Sequence, residues 1–454
     1  MSAQEIISSF FTLIKANFWP TLIDWWWLFL VVEVFWMLDI AKFLWYHWRK
    51  DLFDARDNEP RVLLEIKIPE EVLEPIKAME VVLTGFWQIY QPPNWYEKWW
   101  NGQDPFAFTL EIAAIDGVPH FYVRVPRKVQ NVMETHIYSQ YPTAEISEAE
   151  DYMKNVPQDI PNAEWDMWGT GYRSLRHQAY PIRTYIEFET GKEEEEKRID
   201  PIASLLEGMA RLKPGEQLWF QIRCLPLLNE IPFKQEGQKL RDELARREKK
   251  ETKFKPMIQE AAEMLFTGKV PEPPQKEEES FVPVEMKLTP VEKEIVSAVE
   301  RKIGKLWFLC NIEYIYLGKR DVFFKPNSRL AMSYMTNFAT ENMQGLVPSS
   351  RTITKVTKHW YDWFWFTKRR LYVRKRRLFR AVVSRAWVNY PNTEVDDSAE
   401  TAFNVNKVDA IRFILTADEI ASIYHFPGKI VAAAPTMPRV EAKKAEPPPQ
   451  LPVE

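Results

Sequence analysis

An α+β protein is what this sequence predicts. The expected order is an N-terminal transmembrane helix, a ferredoxin-like βαββαβ domain, and a second α+β domain with insertions. Three observations lead there. A largely apolar stretch occupies residues 18–48, and alternating and helical patterns follow one another as β-α-β-β-α-β over residues 61–150. Further helical and alternating runs fill residues 173–430.

Behind a tail at residues 1–17, the apolar stretch reads FWPTLIDWWWLFLVVEVFWMLDIAKFLWYHW. Its uninterrupted core, residues 25–32, is short, but the whole stretch exceeds the roughly 20 residues a bilayer span needs. Trp25, Trp26, Trp27, Trp36 and Trp45 are the expected anchoring side chains. Arg49, Lys50, Arg56 and Arg61 follow, which by the positive-inside tendency puts the bulk of the chain on the cytoplasmic side of an inner membrane. Asp24, Glu33, Asp39 and Lys42 interrupt the stretch. An interfacial helix and a helix packed in an assembly therefore stay open as alternatives.

The 61–150 region begins with RVLLEIKIP, an alternating strand, and continues into a helix through Val72, Ile76, Met79, Val82, Leu83 and Phe86. A Pro- and Trp-rich loop holds Trp95, Trp99 and Trp100, for which packing on the domain is expected. Two alternating runs then meet at Asp116-Gly117, a hairpin signal. A helix and a short strand complete the set. Residues 162–172 read as a connector, with the WGTG glycines as a turn, and YPIRTYIEFE (180–189) reads as a strand. Asp200 and Thr289 stand as helix caps ahead of Pro201 and Pro290. GEQLWFQIRCLPL and LWFLCNIEYIYLG are strands, and SRLAMSYMTNFAT is a helix. A charged, Pro-rich insertion covers 235–288, a basic-aromatic insertion covers 345–390, and the Pro-rich tail 431–454 is expected to be disordered.

The chain carries 60 Lys and Arg against 64 Asp and Glu, so it is no polycation overall, yet its charge is unevenly spread. Two cysteines, Cys224 and Cys310, are too few for a disulfide framework and are expected to be buried thiols. No zinc-type spacing of Cys and His occurs. Gly-Lys pairs at 191, 268, 304, 318 and 428 are never followed by Ser or Thr, so no phosphate-binding loop is present. The carboxylate pairs Glu145/Glu148 and Asp396/Asp397 read as solvated charge. Neither a metal, a cofactor nor catalysis is expected.

HWYDWFWFTKRRLYVRKRRLFR (359–380) is the densest mixture of aromatic and basic residues. On a helix, Trp360, Phe364, Leu371, Leu378 and Val382 share one arc, widened by Tyr361, Trp365, Tyr372 and Phe379, while Arg369, Arg370, Arg376, Arg377 and Arg380 gather opposite. Three uses are open for this stretch. It can lie on a membrane surface, with Lys368 and Lys375 snorkelling. It can pack on protein, or it can hold nucleic acid. Trp360, Trp363, Phe364, Trp365, Lys368, Arg369, Arg370, Arg374, Arg376, Arg377 and Arg380 are the candidate contacts.

Five phrases together resemble one family: AMEVVL, FYVRVPRKVQNVMETHIYSQYPTAEI, DPIASLLEGMARLKPGEQLWFQIRCLP, EKEIVSAVERKIGKLWFLCNIEYIYL and LTADEIASIYHFPGKIVAAAP. They are similar to the membrane-anchored region of type IV secretion-like and conjugation-like proteins of candidate-phylum bacteria, where a coupling-protein-type ATPase often follows. The resemblance covers most of residues 20–450, and none of its phrases is a catalytic motif. It implies a non-enzymatic, membrane-anchored scaffold or adaptor that docks a separate ATPase. The alternative is a nucleic-acid-binding accessory of such a machine, using residues 359–385. The partners implied are the inner membrane, an ATPase, further copies of the chain, and nucleic acid.

Overall fold

The computed structural model describes residues 61–69, 74–91, 107–189, 200–227, 233–246, 288–356, 366–385 and 412–428, together with single positions between 33 and 48 and at 94 and 96. The chain divides into two compact units, Met1–Pro60 with Gln91–Pro105, and Arg61–Tyr90 with Phe106–Glu454. The second unit holds every strand described below.

β1 (Arg61–Lys67) sends Val62, Leu64 and Ile66 into one core and Leu63 into another, as its alternation requires. α1 (Ile76–Gln88) follows, then β2 (Phe108–Ile115) and β3 (Val118–Pro126). The β2–β3 turn has Asp116 at φ 52° and Gly117 at φ 84°, the paired left-handed backbone of a type I′ hairpin. A Cβ on Gly117 would also come within 2.6 Å of the Leu212 carbonyl oxygen. Gly117→Ala is therefore expected to cost about 1–2 kcal/mol, read from the urea midpoint.

α2 (Gln130–Gln140), β4 (Glu145–Ala149) and β5 (Trp165–Ser174) come next, then α3 (Tyr185–Glu189), α4 (Ala203–Ala210) and β6 (Glu216–Leu227). α5 (Phe233–Leu244), α6 (Pro290–Ile303), β7 (Trp307–Lys319), α7 (Arg329–Thr336) and β8 (Leu346–Pro348) continue the chain. α8 (Phe366–Ser384), β9 (Phe413–Thr416) and α9 (Ala417–Ile423) complete it.

All the strands belong to one antiparallel sheet of order β4-β1-β3-β2-β6-β7-β5-β8, with β9 beside β7. This corrects the expected succession of a ferredoxin-like domain and a second α+β domain. β2 does not end a small sheet but pairs with β6 from Phe108↔Cys224 to Ile115↔Gln217. The reason lies in β2 itself: FTLEIAAI is buried on both faces up to its last residue, so a free edge there would leave apolar surface and backbone groups open to water.

One face of the sheet is covered by α1, α2, α4, α7 and α9 around a continuous core. The opposite face carries two smaller apolar clusters. One lies under α8 and the segment 152–160, the other under α5 and α6.

Three further expectations change. Among the described residues no helix is long and apolar enough to cross a membrane, which overturns the N-terminal transmembrane helix. Glu33 and Asp39 sit within the helical positions between 33 and 48, and charge so closely spaced lowers the mean hydropathy of any window around it. Trp36 and Trp45 are exposed there, while Trp25, Trp26 and Trp27 lie outside the described residues.

The 162–172 connector is largely strand β5, and its glycines lie within that strand and not in a turn. A Cβ on Gly169 would meet the Tyr314 carbonyl oxygen at 2.5 Å, and the Gly169 and Gly171 N–H groups donate to Thr354 Oγ1 and Thr352 Oγ1, each at 2.9 Å. Glycine is needed there for close approach. The strand expected at 180–189 is instead an irregular segment leading into α3. Two of its backbone groups are satisfied by side chains of α9: Ile182 N–H donates to Glu419 Oε1 (2.7 Å) and Tyr185 N–H to Ser422 Oγ (2.8 Å).

Candidate docking helix and the polar belt beneath it

α8 is the described part of the basic-aromatic stretch. Its sequence, FTKRRLYVRKRRLFRAVVS, followed by Arg385, holds nine Lys and Arg and no acidic residue. Trp360, Trp363, Phe364 and Trp365 lie outside the described residues.

Only the C-terminal half of the helix is seated on the protein. Leu378, Phe379 and Val382 are buried against Trp219, Met167, Ile315 and their neighbours. Part of the apolar arc expected to face a bilayer is thus already covered by the chain's own sheet. Lys375 Nζ lies 2.6 Å from Asp166 Oδ1, so this lysine forms an ion pair. Arg374 Nη1 donates to the carbonyls of Ser350 (3.4 Å), Ile353 (3.4 Å) and Lys355 (2.9 Å), which fastens the loop before the helix.

The first two turns are different. Phe366, Tyr372 and Val373 are 53%, 48% and 43% exposed. Lys368, Arg369, Arg370, Arg377 and Arg380 are exposed as well, whereas Arg376 is half-buried. At 100° per residue, Phe366, Arg369, Val373, Arg377 and Arg380 point away from the seated face, flanked by Arg370 and Arg376.

Beneath α8 the sheet carries a belt of buried polar side chains between its two apolar clusters. Its register is direct: Glu111 of β2 opposes Gln221 of β6, which opposes Glu313 of β7, and Arg223 opposes Asn311 one step along. Arg223 donates to Asn311 Oδ1 (2.9 Å), Gln221 Oε1 (3.2 Å), Glu313 Oε2 (2.9 Å) and the Ala381 carbonyl of α8 (3.3 Å).

Arg385, in a left-handed conformation at φ 51°, closes the helix. It meets Glu111 at 2.5 and 3.1 Å and Asp151 at 2.7 and 3.0 Å, each through two nitrogens. Tyr152 donates to Glu111 Oε2 at 2.7 Å. Burial works against the Arg385 charge, but Glu111 and Asp151 more than offset it, so the guanidinium pKa is raised. Asp151 is held below the usual carboxylate range, Arg385 outweighing burial. Glu313 goes the other way, because burial outweighs the Arg223 charge.

Sequence reasoning did not single out Glu111, Asp151, Arg223, Glu313 or Arg385. The signal was present, since Glu, Gln, Arg and Asn fall on inward-facing positions of otherwise apolar strands, but it needs the strand register to line them up.

The other candidates are structural. Glu148 is exposed and pairs bidentately with Arg127 at 3.2 and 3.0 Å. Asp396, Asp397, Trp95, Trp99 and Trp100 lie outside the described residues. Cys224 and Cys310 are buried free thiols opposite each other across β6–β7, their sulfurs 3.9 Å apart. Among the described residues no group of three or more His, Cys, Asp or Glu is placed to hold a metal.

His425 of HFPG is buried, its ring spanning the Ala421 carbonyl (2.9 Å) and Asp200 Oδ1 (2.8 Å). Asp200 also accepts from the N–H groups of Ile202 (3.0 Å) and Gly428 (3.2 Å), so one carboxylate ties the start of α4 to the end of the described chain. Burial tends to raise its pKa, and His425 with those N–H groups more than reverses this, leaving it below the usual carboxylate range. A carboxylate that binds its proton more weakly when folded stabilises the fold above its unfolded pKa and loses that contribution as pH falls through the folded value. Asp200→Asn is expected to flatten the loss of the urea midpoint below about pH 4, with little change in that slope at neutral pH.

No protein-family model matches the chain, and no curated protein matches it.

Proposed function

We propose that this chain is a non-enzymatic scaffold of a type IV secretion-like or DNA-transfer machine and docks a separate ATPase. The supporting observation is an exposed apolar stripe in the first unit. Val34, Met37, Leu38, Ala41 and Leu44 recur at the three- and four-residue spacing of one helical side, all at exposed positions. Leu38 and Leu44 are 60% and 61% exposed. Apolar surface of that kind is costly in water, and packing against another protein removes the cost. The buried charged groups of the second unit fit the same role, since Arg385, Glu111, Arg223 and Glu313 are engaged in joining helix to sheet.

The test is affinity purification of the full chain from its native host, with bound proteins identified by mass spectrometry. An ATPase carrying a phosphate-binding loop should be retained at high salt and lost from the Leu38→Glu/Leu44→Glu variant. Recovery of further copies of the chain alone, or equal retention by the variant, would end the proposal.

A further inference from the structure

We infer that the outward side of α8, with the loop it fastens, is a binding surface for the sugar–phosphate backbone of nucleic acid. The chain as a whole has a formal charge of −4, so nine cations without one acid over residues 366–385 are a local concentration against the overall trend. The structure sorts those cations into two groups. Lys375, Arg374 and Arg385 turn inward and are held by Asp166, by backbone carbonyls, and by Glu111 with Asp151. Arg369, Arg370, Arg377 and Arg380 stay exposed, and no ion pair joins Arg369 or Arg380 to a carboxylate among the described residues.

The loop fastened by Arg374 adds exposed Arg351 and Lys355 beside the same helix. From Arg369 to Arg380 the stripe runs about 17 Å at 1.5 Å per residue. Duplex DNA presents roughly ten phosphate charges along that length.

The chemistry favours phosphate over the other anionic surfaces. The outward stripe is arginine, whose planar fork matches phosphate oxygens, and its seated half is immobilised before any partner arrives. Insertion into a lipid surface needs the helix's apolar arc, and Leu378, Phe379 and Val382 of that arc are packed on the sheet. Arginine–phosphate contacts go to the backbone, so binding is expected to be indifferent to base sequence.

Fluorescence anisotropy of the full chain with a labelled duplex of about 20 base pairs tests this. Four neutralised phosphates give a log–log salt slope of about −3.6, or about 150-fold weaker binding at 200 mM than at 50 mM salt. The variant Arg369→Gln/Arg370→Gln/Arg377→Gln/Arg380→Gln should bind at least about 100-fold more weakly at low salt, with a flattened slope. Its circular dichroism should match the parent's, because all four side chains are exposed. Arg351→Gln/Lys355→Gln should weaken binding by a smaller factor without touching the helix.

No binding at low salt, a quadruple variant that binds as the parent does, or preference for phosphatidylserine-containing vesicles over duplex would overturn the inference. A scrambled duplex bound more than about tenfold differently would do the same. Retention of an ATPase does not enter this measurement, so the scaffold proposal and this one fail separately.

Discussion

Arg385→Met is expected to destabilise the protein by about 3–5 kcal/mol and to loosen α8 from the sheet. Arg385 is the cation shared by Glu111 and Asp151, and Glu111 is fully buried. Methionine fills similar space but leaves the Glu111 carboxylate with only the Tyr152 hydroxyl among the partners it now has. The loss therefore exceeds that of an exposed ion pair, whose typical value is below about 1 kcal/mol. Urea denaturation gives the magnitude. Limited digestion with trypsin gives the location, because Arg377 and Arg380 are exposed on the helix and should be cut sooner once its end is freed. Arg385→Met/Glu111→Leu should recover most of the stability, since removing both buried charges is far cheaper than removing one. If the single variant unfolded with the parent's midpoint, the belt would not be what seats the helix.

The second large effect is expected at Lys302 of α6, where it meets Glu419 of α9. Its ammonium lies 3.0 Å from Glu419 Oε2 and both side chains are almost wholly buried. Glu419 also accepts from the Thr416 and Ile182 N–H groups, at 2.8 and 2.7 Å, which joins α9 to the segment before α3. Burial raises the Glu419 pKa above the usual carboxylate range, and Lys302 acts against that rise. Lys302→Met removes the opposing charge, so the carboxyl binds its proton more tightly in the folded state than before. Stability then falls as pH rises from about 4.5 through the folded pKa. The variant should lose about 3–5 kcal/mol at neutral pH and less near pH 4.5. Adding Glu419→Gln should remove that pH dependence. A variant equally weakened at both pH values would show that Lys302 matters for packing and not for charge.

Much of the local structure was legible. Alternation located β1, β2, β3, β6 and β7, and Asp116-Gly117 marked a turn whose backbone angles only such residues adopt easily. Thr289, Pro290 and Glu292 announced α6, where both capping hydrogen bonds form. The two misread local elements failed for one kind of reason. β5 looked like a connector because Gly169 and Gly171 resemble turn residues until Thr352 and Thr354, 181 and 185 positions distant, are seen bonded to them. Residues 180–189 alternate like a strand, yet the Ile182 and Tyr185 N–H groups are taken by side chains of α9. In both places a distant side chain did what a neighbouring strand does elsewhere.

By itself the sequence determined the α+β class, the hairpin, the Thr289 cap of α6, the two buried thiols and the clustering of nine cations at 366–385. All of these follow from residues close together in the chain, where sterics and periodicity act. Tertiary structure alone decided that β2 joins β6 in one nine-stranded sheet, and that Glu111, Arg223, Glu313 and Arg385 form a belt. It also decided which cations of α8 face inward and which face out. Those outcomes depend on burial, and burial depends on what arrives from elsewhere in the chain: a carboxylate beneath Arg385 holds it, while open water leaves Arg369 and Arg380 available.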